Sequence, residues 1–186
     1  MSVQETIQKR YSCRNFDNKP VPKELINKVL ENIRLAPSGM NQQGWHFRVV
    51  TNQKINDDIG AVVEPLILKT RPQNIERKLP GLRNIVFYNA PVVIYATVPV
   101  EAHRMKYIDI GLAIENGALA AEELGLGAII IGIVSNIAPE TVYKTLGIDE
   151  SKEEYVLSLG IGYVAEGFQR LIKPRKPIEE IVTYFE

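Results

Sequence analysis

The sequence predicts an α+β or α/β fold, with one sheet of four or five strands flanked by helices. Three observations carry this expectation. Runs of β-branched and apolar residues five to nine long alternate with stretches whose apolar residues recur at helical spacing. The composition is that of an ordinary globular chain, 45% hydrophobic and 24% charged over 186 residues. No internal repeat, linker or low-complexity segment divides the chain, so a single domain spanning residues 1–186 is expected. A chain of this length buries roughly 70% of the surface that it exposes when unfolded, and needs no disulfide or metal staple.

The elements follow in order. A short amphipathic helix is expected over Val3 to Lys9. Pro22 suits a first helical position, and Leu25, Ile26, Val29, Leu30 and Ile33 fall on one face of a helix that ends near Pro37. Trp45 to Thr51 has the pattern of a strand. Between Lys54 and Asn89 the signal is mixed: Ile59 to Leu68 looks helical, but Pro65, Pro72 and Pro80 interrupt it and Arg71, Arg77, Lys78 and Arg83 make it basic, which predicts a short helix plus a flap. Pro91 to Val98 is continuous and β-branched, as in a strand covered on both faces. The longest helix is expected from Arg104 to Leu124, stopped by Gly125. Ala128 to Val134 and Tyr155 to Tyr163 are further buried strands, separated by a helix from Pro139 to Leu146 that Gly147 closes. Residues 165–177 are expected as loop and Ile178 to Phe185 as a terminal arm.

Composition excludes several classes of function. Twenty-two basic and 22 acidic residues balance to zero formal charge, so nucleic acid is not an expected partner. One cysteine and two histidines offer neither a disulfide nor a zinc constellation, so no metal is expected. The first residues lack the apolar stretch of a secretory leader, and the longest apolar run, Gly127 to Val134, is far short of the roughly 20 residues that cross a bilayer. A cytoplasmic protein without a membrane partner is therefore expected.

Chemistry concentrates in two polar clusters on either side of the helix that starts near Pro22. Arg10, Ser12 and Arg14, followed by Phe16, offer two guanidinium forks and a hydroxyl to one phosphate. Pro37, Ser38, Asn41, Gln43 and Trp45 place a hydroxyl, two amides and an indole at the entrance to a strand, where the polar edge of a heteroaromatic ring can be gripped. Phosphate plus flat ring points to a nucleotide-like cofactor. The pairs Gly125/Gly127 and Gly160/Gly162 lack the third glycine of a dinucleotide fingerprint and do not open a helix. No Ser/His/Asp or Cys/His arrangement suggests hydrolysis. Cys13 lies between the two arginines; a thiol pKa lowered by cationic neighbours and a plain packing role are both open.

The run Arg10-Tyr11-Ser12-Cys13-Arg14-Asn15-Phe16, with Ala36-Pro37-Ser38-Gly39-Met40-Asn41-Gln42-Gln43-Gly44-Trp45, resembles the opening of the FMN-dependent nitroreductase family. The likeness continues in Tyr107-Ile108-Asp109-Ile110-Gly111, in Leu119 to Gly127 and in Lys173-Pro174-Arg175-Lys176-Pro177. A proline usually precedes the tryptophan in that family, and Gly44 stands in its place. The resemblance implies a three-layer, α/β/α-like α+β fold around a mixed sheet, and a homodimer with a swapped C-terminal arm. It also implies FMN as cofactor, NADH or NADPH as electron donor, and a small-molecule electron acceptor such as a nitroaromatic or quinone. Arg10, Tyr11, Ser12, Arg14, Lys173 and Arg175 would surround the ribityl phosphate, with no catalytic side chain, since the chemistry occurs at flavin N5. Ile131 and Gly132 would lie against the ring system, where a glycine permits close approach. Pro37, Ser38, Gly39 and Asn41 would reach the flavin of the partner protomer, and Arg83 or Asn84 would stand near its pyrimidine edge. Gly111, Ala113, Gly117, Ala118, Ala120 and Ala121 line the longest helix; small residues of this kind can pack on the chain's own sheet, but the resemblance favours a two-fold contact between copies. Two alternatives stay open. One is a relative with dehalogenase, enone reductase or flavin-fragmenting activity, and the other is a non-enzymatic module that binds FMN or another phosphorylated ligand.

Overall fold

The computed structural model describes residues 1–170 and 173–186. The first helix, α1 (Val3–Lys9), opens on a reciprocal cap: the Glu5 N–H donates to Ser2 Oγ and the Ser2 N–H donates to Glu5 Oε2. It is followed by α2 (Lys23–Arg34), β1 (His46–Val50), α3 (Gln53–Thr70) and β2 (Val92–Pro99). The second half comprises α4 (Lys106–Glu123), β3 (Gly127–Ile131), α5 (Ile133–Ile137), α6 (Pro139–Leu146) and β4 (Glu153–Gly162). The sheet runs β1-β2-β4-β3, with every neighbouring pair antiparallel. Among the described residues parallel pairing is confined to an isolated bridge between Ser12 and Ala128, so the four strands form an antiparallel sheet rather than the expected mixed one.

Period-two alternation along β2 builds the three layers. Val92, Ile94, Ala96 and Val98 face one core with Val29 and Ile33 of α2 and Ile110 and Ile114 of α4. Val93 and Tyr95 face the other, with Ile59, Val63 and Ile67 of α3 and Val142 of α6. The unbroken β-branched run was the sequence signal for such a strand, and both its faces are indeed buried.

Two elements differ from expectation. The helix expected to break at Pro65 runs uninterrupted through it, because Ile59, Val63 and Ile67 form an inward stripe while Pro65 lies on the exposed outer face, where water can serve the carbonyl it leaves without an N–H. The strand expected to continue to Val134 stops at Ile131. There the side chains of Ser135 and Asn136 donate to the Gly132 carbonyl at 2.9 and 2.8 Å and start α5 instead. The loop expected over 165–177 includes residues 171 and 172, which lie outside the described residues.

The small residues of α4 serve the interior. A Cβ on Gly117 would come within 2.6 Å of Ile33 Cγ1 and 3.0 Å of Leu159 Cδ2, and Ala113, Ala118, Ala120 and Ala121 are buried. They let α4 pack closely against α2 on one side and the sheet on the other, so these buried residues present no surface to a second copy. The exposed face of α4 carries Tyr107, Ile108, Gly111 and Leu112.

At the edge of the sheet, Arg48 makes a bidentate pair with Glu153, at 2.9 and 2.8 Å, and Thr97 donates to the same carboxylate. Hydrogen bonding from Arg48 leads the causes that lower the Glu153 pKa from its ordinary 4.5 to about 2. A carboxyl depressed in the folded state stabilises the fold above its unfolded pKa and loses that contribution as the pH falls through its folded one. Stability is therefore expected to decline between pH 4.5 and about 2, with a shallower decline in Glu153→Gln, as read by thermal melts across that range.

Candidate functional site

The chain after α1 turns at Arg10 and is drawn onto the sheet by the Cys13 N–H, which donates to the Ala128 carbonyl at 2.9 Å. From the other end of the chain, Arg170 donates to the Gln8 carbonyl and lies over the Tyr11 ring, 5.3 Å from its centroid. These contacts close a cavity of about 130 Å³ lined by Arg10, Tyr11, Ser12, Arg14, Arg170, Lys173 and Arg175. Five cations thus gather around one small space. Arg10 pairs with Glu115 at 3.1 Å, whereas none of Arg14, Arg170, Lys173 and Arg175 is in an ion pair among the described residues. Like charges collected without counter-charges repel, and a bound dianion relieves that repulsion.

A second cavity, of about 200 Å³, adjoins the first through Arg14, which lines both. The aliphatic side chains of Ile67, Ile85, Val86, Ile129, Ile130, Ile131 and Ile133 line it, and Arg14, Arg71, Asn74 and Arg77 together with Tyr88 supply its polar groups. Gly132 opens on the same space: no protein atom lies within 4 Å of the position a Cβ would take there. A flat apolar body with one polar edge suits these walls. Of the residues expected at the site, Arg10, Tyr11, Ser12, Arg14, Lys173 and Arg175 therefore meet at the cation cavity, and Ile131 and Gly132 meet Arg14 at the apolar one.

Pro37, Ser38, Gly39 and Asn41 line neither cavity of their own chain. Their loop is held from α4. The Gly39 N–H donates to both carboxylate oxygens of Asp109, at 3.1 and 3.2 Å, and His103 Nε2 lies 3.1 Å from the same carboxylate. The Met105 N–H donates to His103 Nδ1, which places the imidazole proton on Nε2, facing Asp109. Within the loop Met40, Asn41 and Gln43 all adopt left-handed backbone, with φ of 53°, 54° and 48°, a conformation that persists only where surrounding contacts impose it.

The expectation for Arg83 and Asn84 is not met. Arg83 pairs with Asp57 at 3.0 Å and with Asn18 at 2.8 Å, and Asn84 is buried, its Oδ1 accepting from the Val86 and Phe87 N–H groups. Neither lines the two cavities. The polar residues that do come from the 3-10 turn Pro72–Arg77 and from Arg71 just before it. Asn74 is only 5% exposed, and its side chain makes no hydrogen bond with another described residue. Tyr88, in left-handed backbone at φ 54°, is a second residue that sequence reading missed. Cys13 is fully buried and burial pushes its thiol up to about 11, which removes the activated thiol and leaves the packing role.

The sequence pattern of the nitroreductase family matches residues 7–163. The chain belongs to the nitroreductase family. A relative from Methanothermobacter thermautotrophicus, provisionally named as an NADH dehydrogenase/NAD(P)H nitroreductase, is 31% identical over 136 residues; the match covers 72% of this chain and 62% of that protein. This nitroreductase chain thus spans less than two thirds of that relative's length. Two solved nitroreductases align with all of this chain over their own full length, each at 27% identity: one from Bacteroides fragilis, with a TM-score of 0.81, and one from Desulfitobacterium hafniense, with a TM-score of 0.83. Both are described with bound FMN. The nitroreductase fold accounts for the antiparallel sheet between two helical layers. Among the described residues, no helix is long and apolar enough to cross a membrane, and no group of three His, Cys, Asp or Glu side chains could hold a metal ion.

Proposed function

We propose that the chain is a cytoplasmic FMN-dependent oxidoreductase that takes electrons from NADH or NADPH and reduces a nitroaromatic, quinone or similar flat electrophile. The observation that carries this reading is Arg14, which lines both cavities and so joins a place for phosphate to a place for a ring. The donor set fits FMN: a cluster of cations with one carboxylate partner at one end, apolar walls at the other, and Gly132 presenting no side chain between. The solved relatives with bound FMN support the same assignment. Arg10, Arg14, Arg170, Lys173, Arg175 and the Ser12 hydroxyl would hold the phosphate, and Ile131 and Gly132 would flank the ring. Asn74 and Arg77 would meet its polar edge, because the ring's amide-like groups need partners and the Asn74 side-chain amide stands beside the cavity with no hydrogen bond to another described residue. When bound, FMN supplies the two-electron exchange between nicotinamide and acceptor; the protein supplies position, charge and exclusion of water. An absorbance spectrum of the purified protein, followed by mass analysis of the released chromophore, tests the reading. FMN bleached by NADH or NADPH is expected. FAD, or no flavin after incubation with excess FMN, would overturn it.

The acting unit would be a homodimer with shared sites. Pro37 to Asn41 form a largely exposed loop, held from α4 by Asp109, that reaches neither cavity of its own chain. Ile178, Ile181, Tyr184 and Phe185 of the terminal arm are exposed, Phe185 at 96%, and Ile108 and Leu112 leave an apolar strip on α4. A second copy would cover both, since apolar surface on this scale is stabilised by burial. Sedimentation of the full chain and of a chain ended after Pro177 checks this. The full chain is expected to be dimeric and the shortened one to lose both dimer and flavin; a flavin-loaded monomer in either sample would exclude shared sites.

A further inference from the structure

We infer that Arg71 recognises an anionic group on the molecule that occupies the open side of the apolar cavity, so that the site prefers flat substrates bearing a carboxylate or phosphate over neutral isosteres. The inference rests on the oxidoreductase reading and names the substrate class of that site. The polar margin of the cavity holds Arg14, Arg71 and Arg77 but no carboxylate. Arg14 is shared with the phosphate cavity, and Arg77 follows Asn74 by one turn of the same short helix, which leaves Arg71 without a role in holding the cofactor. Arg71 is exposed and in no ion pair among the described residues, whereas Lys78, also on this segment, is neutralised by Glu64 at 2.9 Å and Arg83 by Asp57 at 3.0 Å.

The backbone at Arg71 is fixed. Its N–H donates to the Ile67 carbonyl at 2.8 Å and its carbonyl accepts from the Asn74 N–H at 2.9 Å, joining α3 to the following turn. A guanidinium carried on a backbone fixed in this way, at a cavity that Ile67 and Ile130 also line, is placed to fork onto a carboxylate while the ring that bears it packs on those side chains. The Glu76 carboxylate on the same turn lines no part of the cavity.

The anion can belong to the electron acceptor or to the 2′-phosphate by which NADPH differs from NADH, and two comparisons on the FMN-loaded protein separate them. Calorimetry compares benzoate with benzamide, and steady-state kinetics compares the KM for NADPH with that for NADH. Arg71→Gln is expected to shrink the preference for the anion by roughly tenfold in one of these comparisons, the usual worth of one charge-assisted hydrogen bond, and Arg71→Lys to recover part of it. A loss in the benzoate comparison assigns the anion to the acceptor, and a loss in the NADPH comparison assigns it to the donor. No preference for either anion in the unaltered protein, or preferences that Arg71→Gln leaves unchanged, would overturn the inference. A protein that never oxidises NADH or NADPH defeats the oxidoreductase reading instead, and the calorimetric comparison, which needs no turnover, still decides the role of Arg71.

Discussion

Replacing Arg14 by Ala is expected to weaken FMN binding by about 1.5–3 kcal/mol, the range for a hydrogen bond to a charged group, which corresponds to roughly a 10- to 150-fold rise in Kd. Arg14 is the side chain common to the phosphate cavity and the ring cavity, so its loss affects both ends of the ligand. Arg175→Ala removes a cation from the first cavity alone and is expected to stay at the lower end of that range. Folding survives both changes, because among the described residues the hydrogen bonds of the Arg14 and Arg175 side chains go to the Ser12 and Lys173 carbonyls, each two residues away. The measurement is a fluorescence titration of apoprotein with FMN, paired with melting curves. Flavin at about 100 times its Kd should stabilise the unaltered protein by about 2.7 kcal/mol and the Arg14 variant by less at the same concentration. If both variants keep the original affinity, the phosphate binds elsewhere.

Asp109→Ala is expected to cost about 1.5–3 kcal/mol of stability and to release the loop from Pro37 to Gln43. The carboxylate is 6% exposed and accepts from the Gly39 N–H and from His103 together, so its removal strands two donors at once. Asp109→Asn is not a clean replacement. An amide offers one accepting oxygen for two donors, and His103 cannot turn its proton away without giving up the bond from the Met105 N–H. Three residues of the loop are held in left-handed backbone, and they are expected to relax toward ordinary conformations once the clamp is gone. Chemical denaturation measures the first effect, and amide hydrogen exchange over residues 38–43 the second. Unchanged exchange in Asp109→Ala would show that the loop is braced internally, by Ser38 and Gln43, and not from α4.

Most of the fold was legible because its signals are local. The double-sided burial of β2, the helix Pro139–Leu146 with Gly147 in left-handed backbone after it, and the stripe of α2 all follow from spacing within a few residues. Pro65 misled because a proline reads as a breaker unless one knows that it faces outward. At the site, the arginines at 10 and 14 and the cations at 173 and 175 stood out as charges grouped within short stretches. Asn74 and Arg77 did not, since four basic residues share that region and only the path of α3 decides which face the cavity. Asp109 resembled any helix carboxylate; its partner Gly39 lies 70 positions away, and no local pattern encodes that contact. Arg170 carries the same lesson.

The contact between Arg170 and the Gln8 carbonyl joins residues 162 positions apart, and the cation cavity is assembled from those two ends of the chain. Ribosomes deliver a chain from its N-terminus at about 5–20 residues per second, so Arg10 to Arg14 emerge many seconds before Lys173 and Arg175 exist. The intervening sheet can pair during that interval, yet the anion pocket cannot close. Capture of a phosphate there has to wait until Arg170, Lys173 and Arg175 are made. A cofactor held in this pocket would act as a seal on a sheet already folded rather than as a template for one.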